Sequence, residues 1–188
     1  TDAGFVMGTG KILLKVPETI YWELENTLSP GVMAKDVILW VIGELGVDGA
    51  TYRALQFGGE GAHRLSMEDR MTIANMAIEA GGKNGIFEFD AVTREFVDER
   101  CKINGTKSDY TPVERDADEK FFSAHRLDLS RLEPTVACHP NPGVRKTARE
   151  LRGEKLDRAY IGSCTGGKTS DFLAAAKILR GREERDKR

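Results

Sequence analysis

The residues with the clearest chemical potential lie towards the C-terminal end: Gly162-Ser163-Cys164-Thr165-Gly166-Gly167-Lys168-Thr169. Their spacing satisfies GxxxxGK[ST], in which glycines let backbone N–H groups converge on a phosphate. A strand is expected before the loop, at residues 156–161, and a helix after it, at residues 169–179. The start of that helix would favour an anion. On this reading Lys168 reaches the outer phosphates and Thr169 holds magnesium. Two features weaken it. Few residues follow Thr169, so the magnesium-organising Asp and the further strands of such a sheet have no room. The long stretch upstream would also be surplus. A second reading puts the chemistry on Cys164. A Cys at the mouth of a strand, just before a helix, sits where α/β folds place ligands. A thiolate nucleophile or metal ligand suits that position. The bland alternative is an inert, buried Cys.

A second pair with chemical potential is Asn75 and Glu79. They are four residues apart within an expected helix, so both fall on one helix face. The bland alternative is a solvated polar face. Cys101, Cys138 and Cys164 are widely spaced, which makes neither a disulfide framework nor a CxxC clip. A reducing compartment is the simplest reading. His63, His125 and His139 sit in no motif and take no assigned role. Asn104-Gly105-Thr106 reads as a tight turn, because Asn-Gly suits positive φ.

The elements that must position these groups follow from patterning. Of 188 residues, 28 are Lys or Arg and 30 are Asp or Glu, for a net charge of −2. Hydrophobic residues make up 40%, too many for a disordered chain. No apolar run is long enough for a membrane helix, and the even charge balance argues against a nucleic-acid coat. The spacing predicts a strand at residues 11–16 and a helix at 34–45, whose stripe is Val37, Ile38, Val41, Ile42 and Leu45. A half-buried strand is expected at 51–57. Ser66 with Asp69 forms a capping-box signal, opening a helix that runs through Glu79 to the Gly81-Gly82 stop. A short strand is expected within 83–90 and a helix at 91–100. One or two strands follow at 125–137. Asn141-Pro142-Gly143 marks a linker, and 144–151 a short helix or connection.

Three patches, in order along the chain, carry a resemblance. They are TDAGFVMGTGK at residues 1–11, LSMEDRMTIANMAIEAGG at 65–82 and AYIGSCTGGKTSDFLAAAKIL at 159–179. Together they resemble the aconitase superfamily of iron–sulfur hydro-lyases, and within it the large-subunit branch acting on isopropylmalate. The resemblance outweighs the phosphate-loop pattern. It implies α/β, aconitase-like domains: a mixed sheet flanked by helices, with the start of a second parallel α/β layer. It places a second aconitase-type domain with its lead-in at 1–135. Residues 136–188 become a linker and the start of a third, cluster-binding domain. It implies a [4Fe–4S] cluster held by three Cys thiolates, of which Cys164 is the first. The open iron acts as a Lewis acid on the substrate hydroxyl and carboxylate.

By the same resemblance Asn75 lies near the cluster and its waters, and Glu79 orients a catalytic His. Ser163 and Thr165 flank the ligand and would donate to cluster sulfurs. The family's other two cluster cysteines form a CxxC that Cys101 and Cys138 do not match. The implied partners are a small swivelling subunit or domain, the remainder of the large subunit and a small hydroxy-dicarboxylate substrate, with no membrane and no nucleic acid. Homoaconitate or citrate is the alternative substrate; the Gly166-Gly167-Lys168 run leans towards isopropylmalate. The chain opens on Thr1 without Met, and is expected to be a central excerpt that is inactive alone. The expected location is cytoplasmic, or plastid stroma or mitochondrial matrix after removal of a targeting peptide. Two rivals stand beside this reading: a scaffold or RNA-binding protein without a cluster, and a P-loop nucleotide-binding protein.

Overall fold

Period-two patterning sets the centre of the fold. In β1 (Thr19–Glu25) Ile20, Trp22 and Leu24 are buried, while Tyr21 and Glu23 take the other face half-buried. This strand is a finding of the structure, since no strand was expected at these residues. The alternation Ile20, Trp22, Leu24 is its sequence signal. The computed structural model describes residues 2–180, beginning with the helix α1 (Asp2–Thr9), and the charge run beyond Arg180 lies outside the described residues.

β1 pairs in parallel with β2 (Ala54–Gly58) on one side and β4 (Ser123–Asp128) on the other. β3 (Asn84–Phe87) extends the sheet past β2, giving the order β3-β2-β1-β4. The register sets Trp22 beside both Phe57 and His125. Its indole stacks on His125 at 4.5 Å and meets Trp40 edge-on at 5.8 Å. α2 (Ala34–Leu45) covers this face. The expected stripe is borne out, with Val37, Ile38, Val41 and Ile42 all fully buried against the sheet. Each such side chain contributes roughly 1.5–3 kcal/mol by leaving water, whereas an exposed ion pair contributes about 0–1 kcal/mol. The sheet–helix layer therefore dominates stability. Gly59, at φ 87°, turns the chain from β2 into the short helix α3 (Glu60–His63). A Cβ there would stand 2.6 Å from the Leu24 carbonyl oxygen, so the turn passes hard against the end of β1.

One cation enters this interior. Arg70 lies in α4 (Met67–Asn75) with its side chain only 3% exposed. Its two terminal nitrogens donate to the two Asp90 oxygens, both at 2.7 Å. Nε donates to the Leu65 carbonyl, and the terminal nitrogens also reach the Ala62 carbonyl and the Thr93 hydroxyl. All five guanidinium N–H groups are thereby used. Asp90 in turn caps α5 (Ala91–Ile103) by accepting from the Thr93 amide, and binds His63 Nδ1 at 2.8 Å. Burial acts to raise the Asp90 pKa. Hydrogen bonds from Arg70, His63 and the Thr93 amide, with the Arg70 charge, outweigh it and hold the carboxyl well below the usual range.

The polypeptide after β4 makes a small hairpin of β5 (Thr135–Ala137) and β6 (Arg145–Thr147), paired antiparallel. Asn141-Pro142-Gly143 forms its turn, with the Gly143 amide on the Asn141 side chain. Residues 144–151 form β6 and turns, not a helix. Asp36 pins the hairpin to the start of α2. It accepts from the Met33 and Thr135 amides, each at 2.6 Å, and burial raises its pKa. Arg145 adds an ion pair to Glu44 of α2 and lies over the Trp40 ring.

The α/β class is as expected, but β2 is buried throughout rather than half-buried, and further details differ. The four-stranded sheet is parallel throughout, and antiparallel pairing is confined to the hairpin. Residues 11–16 are irregular and mostly exposed, with the Lys15 amide on the Tyr52 hydroxyl. Residues 156–161 precede the last helix, α6 (Thr169–Leu179), without forming a strand. Both segments have the apolar composition of strands. A strand needs a ladder, and among the described residues no neighbour offers them one. No described helix is long and apolar enough to cross a membrane.

Replacing Arg70 by Leu should cost about 3–5 kcal/mol in urea unfolding, because Asp90 would be left buried without its counter-charge. The depressed Asp90 carboxyl contributes stability that is fully present above its unfolded value near 3.8 and is lost as pH falls below it. Asp90→Asn should flatten that acid-side loss, which unfolding curves between neutral and acid pH would register.

Candidate functional site

The site is built on α4. Ser66 caps the helix as its sequence predicts: Ser66 Oγ accepts from the Asp69 amide at 3.2 Å, and Asp69 Oδ2 accepts from the Ser66 amide at 3.1 Å. The helix is α-helical only to Asn75. Residues Met76–Ala80 tighten into a 3₁₀ turn closed by Gly81. Residues three apart eclipse in such a turn, which turns both Ala77 and Ala80 into the core. The Ala80 carbonyl then accepts from the Ala50 amide at 2.8 Å. Asn75 and Glu79 are therefore not stacked one turn apart on a single α-helical face. Both side chains are exposed, Asn75 at the end of α4 and Glu79 on the 3₁₀ turn.

The Cys164 loop is brought against the same helix. Lys168 Nζ donates to the Thr72 hydroxyl at 2.7 Å and to the Thr165 carbonyl. Asn75 is three residues beyond Thr72, so both occupy one side of α4. The fold thus carries the Cys164 turn to the helix that bears Asn75. Thr165 is buried, and Cys164 beside it is exposed. Ser163 has φ 81°, a left-handed conformation strained for a residue with a Cβ, and its hydroxyl lies 3.6 Å from Cys164 Sγ. Strain of this kind persists only where surrounding structure imposes it. Gly166 completes the turn: a Cβ there would stand 2.5 Å from the Gly162 carbonyl oxygen.

A cavity of about 320 Å³ separates this loop from the sheet domain. Its walls include Met33 and Ala34 at the start of α2, Glu68 and Thr72 of α4, Gly166 of the loop and Ala174 of α6. That volume is at the small end for ligand pockets. Asn75, Glu79 and Cys164 do not line it.

The phosphate-loop geometry is not built. The strand that should precede it is missing, the Lys168 ammonium is lodged between Thr72 and Thr165, and Asp171 accepts from the Lys168 amide at 3.0 Å. A carboxylate thus caps the helix end where a phosphate would sit.

A thiolate suits iron–sulfur ligation, and an exposed thiol on a turn fits one corner of a cluster. Among the described residues no group of three His, Cys, Asp or Glu side chains could hold a metal ion. Cys101 lies on α5 and Cys138 just after β5, on other elements. The described residues thus fit one ligand of a cluster, not a set. His63 is taken up by Asp90, and His125 lies against Trp22.

Sequence patterning passes over three groups that hold the site together: Arg70, Asp36 and Lys168 in its role towards Thr72. Arg70 had a signal. It falls on the buried side of α4 with Ile73, where an unpaired charge would be costly. The long-range bonds of Asp36 and Lys168 had none, since Thr135 and Thr72 lie 99 and 96 residues away.

The family model described as Aconitase family (aconitate hydratase) matches residues 1–151. The chain is 50% identical over 179 residues to the chloroplastic 3-isopropylmalate dehydratase large subunit of Arabidopsis thaliana, covering 95% of the chain and 34% of that protein. It is 47% identical over 183 residues to the 3-isopropylmalate dehydratase large subunit of Clostridium kluyveri, covering 97% and 42%. It is 43% identical over 186 residues to 3-isopropylmalate dehydratase large subunit 2 of Archaeoglobus fulgidus, covering 99% and 44%. The chain therefore spans less than half the length of the curated relatives it matches.

Gly166→Ala should force the Cys164 turn open. Limited proteolysis within residues 160–168 is expected to run several-fold faster, with the urea midpoint of the sheet domain unchanged.

Proposed function

Because the chain belongs to the aconitase family, we propose that it forms part of the large subunit of an iron–sulfur hydro-lyase. That enzyme would dehydrate and rehydrate isopropylmalate in leucine biosynthesis. The observation that carries this reading is the identity, over nearly the whole chain, to isopropylmalate dehydratase large subunits of a plant, a bacterium and an archaeon. The strained Cys164 turn, held against the Asn75 helix, supports it.

In this reading residues 1–135 are the second aconitase-type domain with its lead-in, and residues 136–188 are the linker and the start of the third. Cys164 would supply one thiolate ligand from its turn. A [4Fe–4S] cluster, when bound, supplies a Lewis-acidic iron for the departing hydroxide. Asn75 would hold water or the substrate hydroxyl through its amide. Glu79 would fix the orientation of a histidine that moves the proton, as a carboxylate does for an imidazole general base. The remainder of the large subunit, a small swivelling subunit or domain and a hydroxy-dicarboxylate substrate complete the site. Neither a membrane nor a nucleic acid is a partner. The enzyme would work in the cytoplasm, or in an organelle such as the plastid.

The test uses the intact protein that carries this chain, purified without oxygen. Iron and acid-labile sulfide are expected in the wild type. Cys164→Ser should lose iron and abolish isopropylmalate dehydration; full iron and turnover in that variant would refute the assignment. Glu79→Gln should lower kcat by about 10²-fold or more, with KM little changed. The 188-residue chain alone is expected to turn over no isopropylmalate, since among its described residues no group of three His, Cys, Asp or Glu side chains could hold a metal ion.

A further inference from the structure

We propose that Lys168 is a positioning residue whose ammonium latches the Cys164 turn onto α4. The idea rests on the reading above that Cys164 is the ligand-bearing residue of this chain.

The hydrogen-bond polarity at Thr72 is the starting point. Its hydroxyl donates to the Glu68 carbonyl at 2.9 Å. The remaining capacity of that oxygen is as an acceptor, and only a donor can use it. The Thr165 carbonyl is an acceptor too. Thr72 and Thr165 are both buried, at 9% and 7% exposed. An ammonium carries three donors and no acceptor, and the Lys168 ammonium bonds both oxygens. Such charge-assisted bonds are roughly twice as strong as neutral ones. At its other end Lys168 is fixed by its backbone amide on Asp171. The turn that presents Cys164 is thereby tied to α4 at one end and to α6 at the other. A neutral side chain at 168 would leave two buried acceptors short of a donor, at a cost that outlasts the loss of packing.

Hydrogen exchange in the intact, metal-free protein reads the latch without any cluster. Peptides covering residues 160–172 are expected to exchange about tenfold faster in Lys168→Met and in Thr72→Val. Thr72→Ser keeps the hydroxyl and should exchange like the wild type. The double variant Lys168→Met/Thr72→Val should be no faster than Lys168→Met alone, because Lys168→Met already removes the bond that Thr72→Val removes. In reconstituted protein, Lys168→Met and Thr72→Val should also lose iron faster than wild type, and Thr72→Ser should not. Wild-type exchange in both single variants, or additive effects in the double, would overturn the latch. Should Lys168→Met fail to fold, the Thr72→Val and Thr72→Ser pair decides the matter alone. Wild-type protein that takes up no iron would refute the proposed function, while the exchange result would still decide the latch.

Discussion

A guanidinium buried at the edge of an apolar core must have every donor matched and its charge balanced. Arg70 meets both demands, and the surrounding elements are arranged to let it. Its carbonyl partners fix α3 and the turn before α4, and Asp90 with Thr93 fixes the start of α5. The Phe87 ring of β3 lies under the guanidinium at 5.8 Å. One side chain therefore sets the relation of three helices to the sheet. Apolar burial supplies most of the stability, but it is non-directional. The bidentate pair supplies the direction.

The same division recurs where the C-terminal segment meets the sheet domain. Apolar contacts there are sparse, and α6 has no buried residue. Polar ties do the orienting. Asp36 of α2 holds the hairpin through the Thr135 amide, and Lys168 links the Thr165 carbonyl of the Cys164 turn to the Thr72 hydroxyl of α4. The chemistry-bearing turn is thus placed by a few directional bonds and by its own strained backbone at Ser163. Between those ties a cavity remains open beside α4.

Much of the fold was legible locally. The α2 stripe, the Ser66 capping box and the turn at Asn104 and Gly105 follow from spacing and side-chain chemistry, and the structure forms each of them. The errors also have local causes. Residues 11–16 and 156–161 have strand composition, yet a strand exists only if another strand pairs with it. β1 shows the converse. Its alternation is modest, but β2 and β4 flank it, and it becomes the centre of the sheet. The stretch from Met76 to Ala80 continues a helical pattern, and the core contacts of Ala77 and Ala80 tighten it to 3₁₀.

Of the candidate site, the sequence alone determined the residue types: a Cys in a glycine-rich turn before a helix, and an Asn and a Glu at the end of another. It also determined the family resemblance, because a motif is a local string. Tertiary structure decided which groups meet. It turned the Lys168 ammonium away from a phosphate and onto Thr72, 96 residues earlier. It split Asn75 and Glu79 between an α-helix and a 3₁₀ turn. The physical reason is that propensity and patterning act over a few residues. A buried donor or charge is satisfied by whatever the fold brings within about 3 Å, however distant in the chain.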